Sequence, residues 1–207
     1  MPVVINGTSG ITGPDGSTST PAVRGSDTDT GFVFAAGQIT ASLNGTSGNV
    51  PLVSGTAQAS TSGTSIDFTS IPSWVKRITV MFNGVSTNGS SAVQIQIGSG
   101  SFTTSGYIGY ATRFGVAPAN VYTAMSAGFV TSDGQASTTT RYGVFYLVNV
   151  SSNNWNLSGS HTNSASTGDT CLVNGTLSLS GTLDRVRITT VNGTDTFDAG
   201  SINIMYE

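Results

Sequence analysis

In Lys76-Arg77-Ile78-Thr79-Val80-Met81-Phe82, residues Lys76, Ile78, Val80 and Phe82 fall on one side of an extended chain, and Arg77, Thr79 and Met81 on the other. Strand side chains point alternately to opposite faces, so this period of two predicts a strand with one buried face. The pattern recurs. Val93, Ile95 and Ile97 alternate with Gln94 and Gln96, Val186 and Ile188 with Arg185, Arg187 and Thr189, and Ile202, Ile204 and Tyr206 with Ser201, Asn203 and Met205. Turn signals separate such runs: Asn83-Gly84, Asn88-Gly89, Asp133-Gly134, Ser151-Ser152-Asn153-Asn154, Asn174-Gly175, Asn192-Gly193 and Ala199-Gly200. Strands are expected near 52–59, 64–69, 76–83, 92–98, 105–111, 124–131, 141–150, 153–160, 171–181, 184–191 and 201–206. No window has helical periodicity. The expectation for 49–207 is an all-β, antiparallel β-sandwich, jelly-roll-like.

One run departs from the alternation. Val144 to Val150 is apolar on both faces apart from Asn149. In a one-faced sandwich, a strand of this kind needs cover on its second face, from a long loop or from another subunit.

Composition agrees with the patterning. Serine, threonine and glycine supply about two-fifths of the 207 residues, whereas charged residues supply 8%. β-Branched hydroxyl side chains suit a pleated surface, so a β-protein can solvate itself without many lysines and glutamates. The net charge of −3 and the seven scattered basic residues argue against nucleic acid or an anionic membrane as partner. So weak a charge also opposes self-association very little. No apolar stretch reaches the length of a membrane span, and Met1 to Gly7 does not read as a signal peptide, so a soluble product made in the cytoplasm is expected. Cys171 stands alone, which leaves no intramolecular disulfide and reads as a small core or turn residue.

Residues 1–48 differ from the remainder of the chain. They are dense in turn signals and hold only short apolar pieces, among them Phe32-Val33-Phe34-Ala35-Ala36. A segment so short rarely closes a core by itself. It is either a mobile tail or a piece that folds against copies of itself, and the Phe32 run favours the second.

Reactive groups are sparse. His161, the one histidine, lies in the polar Ser160-His161-Thr162-Asn163-Ser164 and reads as an exposed loop residue. Serine and aspartate are too common here for a Ser-His-Asp arrangement to carry signal. Asp15, Asp67, Asp133 and Asp169 read as turn-capping residues. Asp27 with Asp29, and Asp195 with Asp198, are oxygen ligands of a kind calcium accepts, but without EF-hand spacing turn formation accounts for them better. The residues imply no metal and no cofactor. What remains is recognition by surface: Tyr107, Tyr110 and Tyr122, with Asn153, Asn154 and His161, combine flat rings and amides in stretches that read as loops, a combination suited to gripping sugars. Trp74 and Trp155 read as core residues or strand-end plugs.

Two sets of residues resemble a known family. Pro21-Ala22-Val23-Arg24-Gly25-Ser26-Asp27-Thr28-Asp29-Thr30-Gly31-Phe32 resembles a short motif of tail-fibre and related virion proteins of tailed bacteriophages. Gly63-Thr64-Ser65-Ile66-Asp67-Phe68-Thr69-Ser70-Ile71-Pro72-Ser73-Trp74-Val75-Lys76-Arg77-Ile78-Thr79-Val80, with Leu183 to Thr190 and Phe197 to Ile204, looks like the C-terminal globular domain of phage fibre proteins that bind receptors. These stretches bracket 63–206; residues 99–170 carry no likeness.

The resemblance implies a homotrimeric fibre tip on a virion, assembled in the host cytoplasm, which adsorbs to a bacterial cell-surface glycan or protein. Residues 1–48 would then join other virion structural proteins and hold the trimer together, through Val23, Arg24, Asp27, Asp29, Phe32 and Phe34. No catalytic residue comes with the likeness. With no shaft repeats, a short fibre, spike or knob is expected. Two rivals are a capsid or collar decoration protein without a receptor and, less favoured because acidic pairs are few, a surface-polysaccharide depolymerase.

Overall fold

The computed structural model describes residues 52–115, 121–163 and 169–207, together with the strands between 23 and 47. The chain divides into two compact units, Met1–Pro51 and Leu52–Glu207. In the first, β1 (Val23–Arg24), β2 (Gly31–Ala35), β3 (Gln38–Leu43) and β4 (Thr46–Ser47) form an antiparallel meander in that order. Val23 pairs with Phe32, and Phe34 with Ile39. The segment dense in turn signals therefore carries antiparallel ladders between them. Asp27 and Asp29 lie outside the described residues.

The second unit is all-β, with no helix among its described residues. Its strands are β5 (Val53–Ser54), β6 (Gln58–Ala59), β7 (Ser65–Thr69), β8 (Arg77–Thr87), β9 (Val93–Ser99), β10 (Ser101–Phe102), β11 (Ile108–Phe114), β12 (Val121–Ala124), β13 (Phe129–Val130), β14 (Arg141–Ser151), β15 (Asn154–Asn163), β16 (Thr170–Ser178), β17 (Arg185–Thr190) and β18 (Phe197–Tyr206). They make two open antiparallel sheets. One runs β10-β9-β17-β7, with β13 also on β9; the other runs β12-β11-β16-β15-β14-β8-β18-β5, with β6 also on β18. The order β7-β17-β9-β13 facing β8-β14 and β11-β12 is that of a jelly roll, widened by the hairpin β15–β16 inserted between β14 and β11.

The alternating apolar residues meet between the sheets. Ile78, Val80, Phe145, Leu147, Val173 and Ile202 from the larger sheet face Ile66, Ile95, Ile97, Val186 and Ile188 from the smaller, all buried. Phe82 and Phe145 pack edge to face at 5.0 Å between ring centroids, and Tyr107 meets Phe129 at 4.8 Å in the same manner. Trp155 is a core residue at 3% exposure, whereas Trp74 closes a strand end against Tyr206. Cys171 is fully buried, and burial pushes its thiol up to about 12.

Asn83-Gly84 and Ala199-Gly200 are not turns. β8 and β18 run straight through them, and the register shifts there against the neighbouring strands. Gly84 and Gly200 hold φ of 68° and 91°, and a Cβ on Gly200 would strike the Gly84 carbonyl. The two glycines let paired bulges nest, which twists both strands without ending them. Asn174-Gly175 likewise lies inside β16, where a Cβ on Gly175 would come within 2.6 Å of Met125 Sδ. Asn192-Gly193 is a true turn.

Candidate functional site

The outer faces of the two sheets differ in charge. On the smaller sheet Arg187 forms a two-pronged pair with Asp67, at 2.7 Å for both contacts, and lies over the Phe102 ring at 4.0 Å. Beside it Arg185 pairs with Asp184, whose carboxylate also accepts from the Gly100 amide. Asp67 is thus an ion-pair partner rather than a turn cap.

On the larger sheet the even-numbered residues of β11, β16, β15 and β14 point outward and line up in register. One rung reads Tyr122, Thr112, Leu172, Ser160, Val144, Met81; the next reads Ala124, Tyr110, Asn174, Ser158, Tyr146, Thr79; a third reads Ile108, Thr176, Asn156, Val148, Arg77. Arg77 is the one charged side chain on these rungs, and it pairs with Glu207 at the sheet's margin. Adjacent strands lie about 4.8 Å apart and rungs nearly 7 Å apart, so the face is a regular lattice of rings, amides and hydroxyls.

Large apolar groups stay open to solvent on this lattice. Ile108 is 69% exposed, Tyr110 61% and Tyr122 67%, while Tyr142, Tyr146, Val148 and Leu172 are each more than two-fifths exposed. Among the described residues no loop covers the outward face of β14, where Tyr146 and Val148 stand open. Tyr110 and Tyr122 sit on neighbouring strands as diagonal neighbours, roughly 7–8 Å apart along the backbone. Next to them, Ile108, Asn156, Leu157, Ser158, Asn174, Gly175 and Thr176 line a shallow depression of about 350 Å³.

Two sequence candidates are corrected. Tyr107 is not a loop aromatic: it is 3% exposed, and its hydroxyl accepts from the Ile97 amide at 2.9 Å and donates to the Thr103 carbonyl at 3.0 Å. Burial holds its phenol protonated far above the ordinary range. His161 is not an exposed loop histidine either. It lies within β15 at 2% exposure, facing inward. Its Nε2 lies 3.0 Å from the Thr131 carbonyl, an acceptor, so Nε2 carries the proton. Burial, reinforced by Arg141, lowers its pKa to about 4.

Tyr110 and Tyr122 keep the exposure expected of them but stand on strands rather than loops. Asn153 lies in the turn between β14 and β15, and Asn154 opens β15, where it is taken up in bonds to Ser151 and Ser178. They are not gathered with the tyrosines. Val23, Arg24, Phe32 and Phe34 lie on the meander strands β1 and β2.

Other acidic residues serve the scaffold. Arg113 binds Asp133 through two nitrogens at 2.8 and 3.0 Å and Asp169 through a third at 3.0 Å, tying β11 to the 131–135 loop and to the start of β16. Asp133 and Asp169 are therefore arginine partners, not turn caps. Asp195 accepts from the Ser91 amide and the Asn192 side chain, while Asp198 accepts from Ser86. No group of three or more His, Cys, Asp or Glu converges as a metal site among the described residues.

No family model, no curated protein and no solved structure matches this chain. The functional reading accordingly rests on residues and geometry.

Tyrosine rings offer apolar area to a flat partner, and amides and hydroxyls offer hydrogen bonds in both directions. Ile108, Asn156, Ser158, Asn174, Thr176, Tyr142 and Tyr146 carry no mark of a site in the sequence. Polar residues alternating with core residues read there only as solvated positions; their alignment into rungs emerges once strand order is known.

Proposed function

We propose that this chain is the tip of a short homotrimeric fibre on a tailed-phage particle, assembled in the host cytoplasm, which adsorbs to a saccharide-bearing bacterial surface without catalysing a reaction. The observation that carries the proposal is the exposed, nearly uncharged lattice on the larger sheet, with Tyr110 and Tyr122 side by side. A contact of this kind is weak in a single copy. Three copies on one axis turn weak contacts into firm adhesion, because the second and third engage at high effective concentration. The sequence likeness to fibre tips, and the separate N-terminal meander as a unit for attachment, support the same reading.

The test is competition. Purified full-length chain is expected to block adsorption of particles that carry it, and antibodies against it should label the particle at the tip of an appendage. Protein that binds capsids but does not compete for cells would make it a decoration protein. Release of reducing sugar from capsule or lipopolysaccharide would make it a depolymerase.

A further inference from the structure

The depression beside Ile108 lies where strands β15 and β16 run side by side, with Ser158 opposite Asn174 and Asn156 opposite Thr176. Two amides and two hydroxyls thus converge from adjacent strands. Asn156, Ser158 and Asn174 are exposed, and their side chains make no hydrogen bond to another described residue. Their donors and acceptors are therefore free for a ligand. On the same lattice Tyr110 stands in register with Asn174, and Ile108 with Thr176.

We propose that this depression is a binding subsite for an uncharged saccharide. The inference rests on the adhesion reading above and narrows it to a place and a ligand class. Amides and hydroxyls match the mixed donor–acceptor edge of a sugar ring. The ring of Tyr110 offers a flat surface for the sugar's C–H face, and Ile108 offers an aliphatic contact for a methyl group such as that of an acetamido substituent. Lack of charge decides the class. Among the described residues no cation lines the depression, and Arg77, two strands from β15, is already paired with Glu207. A phosphate or carboxylate brought here would lose water and find no counter-charge, which is costly. The volume, about 350 Å³, is at the small end of ligand sites and suits one or two sugar rings.

The experiment immobilises the full-length chain and passes over it N-acetylglucosamine oligomers, dextran and mannan as neutral probes, and polysialic acid and lipoteichoic acid as anionic ones. The expected result is retention of at least one neutral probe, undiminished in 1 M NaCl. Retention should fall at least tenfold in both Asn174→Ala and Tyr110→Ala, exposed positions whose replacement should leave thermal unfolding unchanged. The proposal is overturned by retention of no neutral probe, by retention of anionic probes alone, by variants that bind as well as the parent, or by variants that alter only self-association. A parent chain that adsorbs to cells through some other face sinks the subsite and leaves the adhesion reading standing. A chain that holds a neutral probe but never adsorbs to cells does the reverse.

Discussion

Replacing Tyr107 with phenylalanine removes a single oxygen, and the structure makes that oxygen important. Ile97 lies in the middle of β9, where its amide donates to the Tyr107 hydroxyl at 2.9 Å while its carbonyl accepts from Thr103. In Tyr107→Phe the buried Ile97 amide loses its partner and the ring keeps its place against Phe129. An orphaned buried donor costs about 1–3 kcal/mol. For a domain of this size each kcal/mol lowers the melting temperature by about 2–4 °C, so a fall of roughly 4–8 °C is expected for the middle of that range. With a urea m-value of about 2 kcal/mol/M the midpoint should drop by about 1 M. The assay pairs urea unfolding, followed by tryptophan fluorescence, with a cell-binding measurement on the same protein. Stability should fall and binding should not. Unchanged unfolding together with lost cell binding would show that Tyr107 faces a receptor, and its assignment to the core would be wrong.

His161 should make the fold sensitive to acid. The folded state lowers its pKa from 6.5 to about 4, so between those values the unfolded chain binds more protons and stability falls as pH drops. The loss, of order 3 kcal/mol, should begin near pH 6.5 and be complete near pH 4; urea midpoints across that range test it, and His161→Gln should flatten the curve. Gly200→Ala places a side chain at a φ of 91° against the Gly84 carbonyl, and a destabilisation of roughly 1–3 kcal/mol is expected by thermal melting. Exchanging Arg187 for Lys keeps the charge but loses the two-pronged contact with Asp67 and the stacking on Phe102, for a loss of about 1 kcal/mol that shrinks in high salt.

Much of the fold is legible because a strand with one buried face writes its period into the sequence. Ile78, Val80, Ile95, Val186, Ile188, Ile202 and Ile204 all face inward as the alternation predicts. Asn-Gly and Ala-Gly steps mislead where the strand is long: a glycine with positive φ makes a bulge as readily as a turn, and only the partner strand decides between them. His161 resembles a loop residue because β15 continues inward-facing polar residues to Asn163, both buried, so its end lacks the apolar signal of a core strand. Tyr107 is deceptive because a tyrosine between glycine and isoleucine carries no mark of where its hydroxyl goes. The candidate site is legible only as two exposed tyrosines. Its amides come from β15 and β16, which reach Tyr110 through pairings set by the whole sheet.

The outer face of the larger sheet is where this account places contact with the host, and the double replacement Tyr110→Ser with Tyr122→Ser probes it most directly. Binding of labelled full-length chain to susceptible cells should fall by about thirtyfold if each ring contributes about 1 kcal/mol, with the melting temperature held within about 2 °C. Undiminished binding in that variant, with loss instead on replacing Phe102 or Arg185 on the opposite sheet, would contradict it.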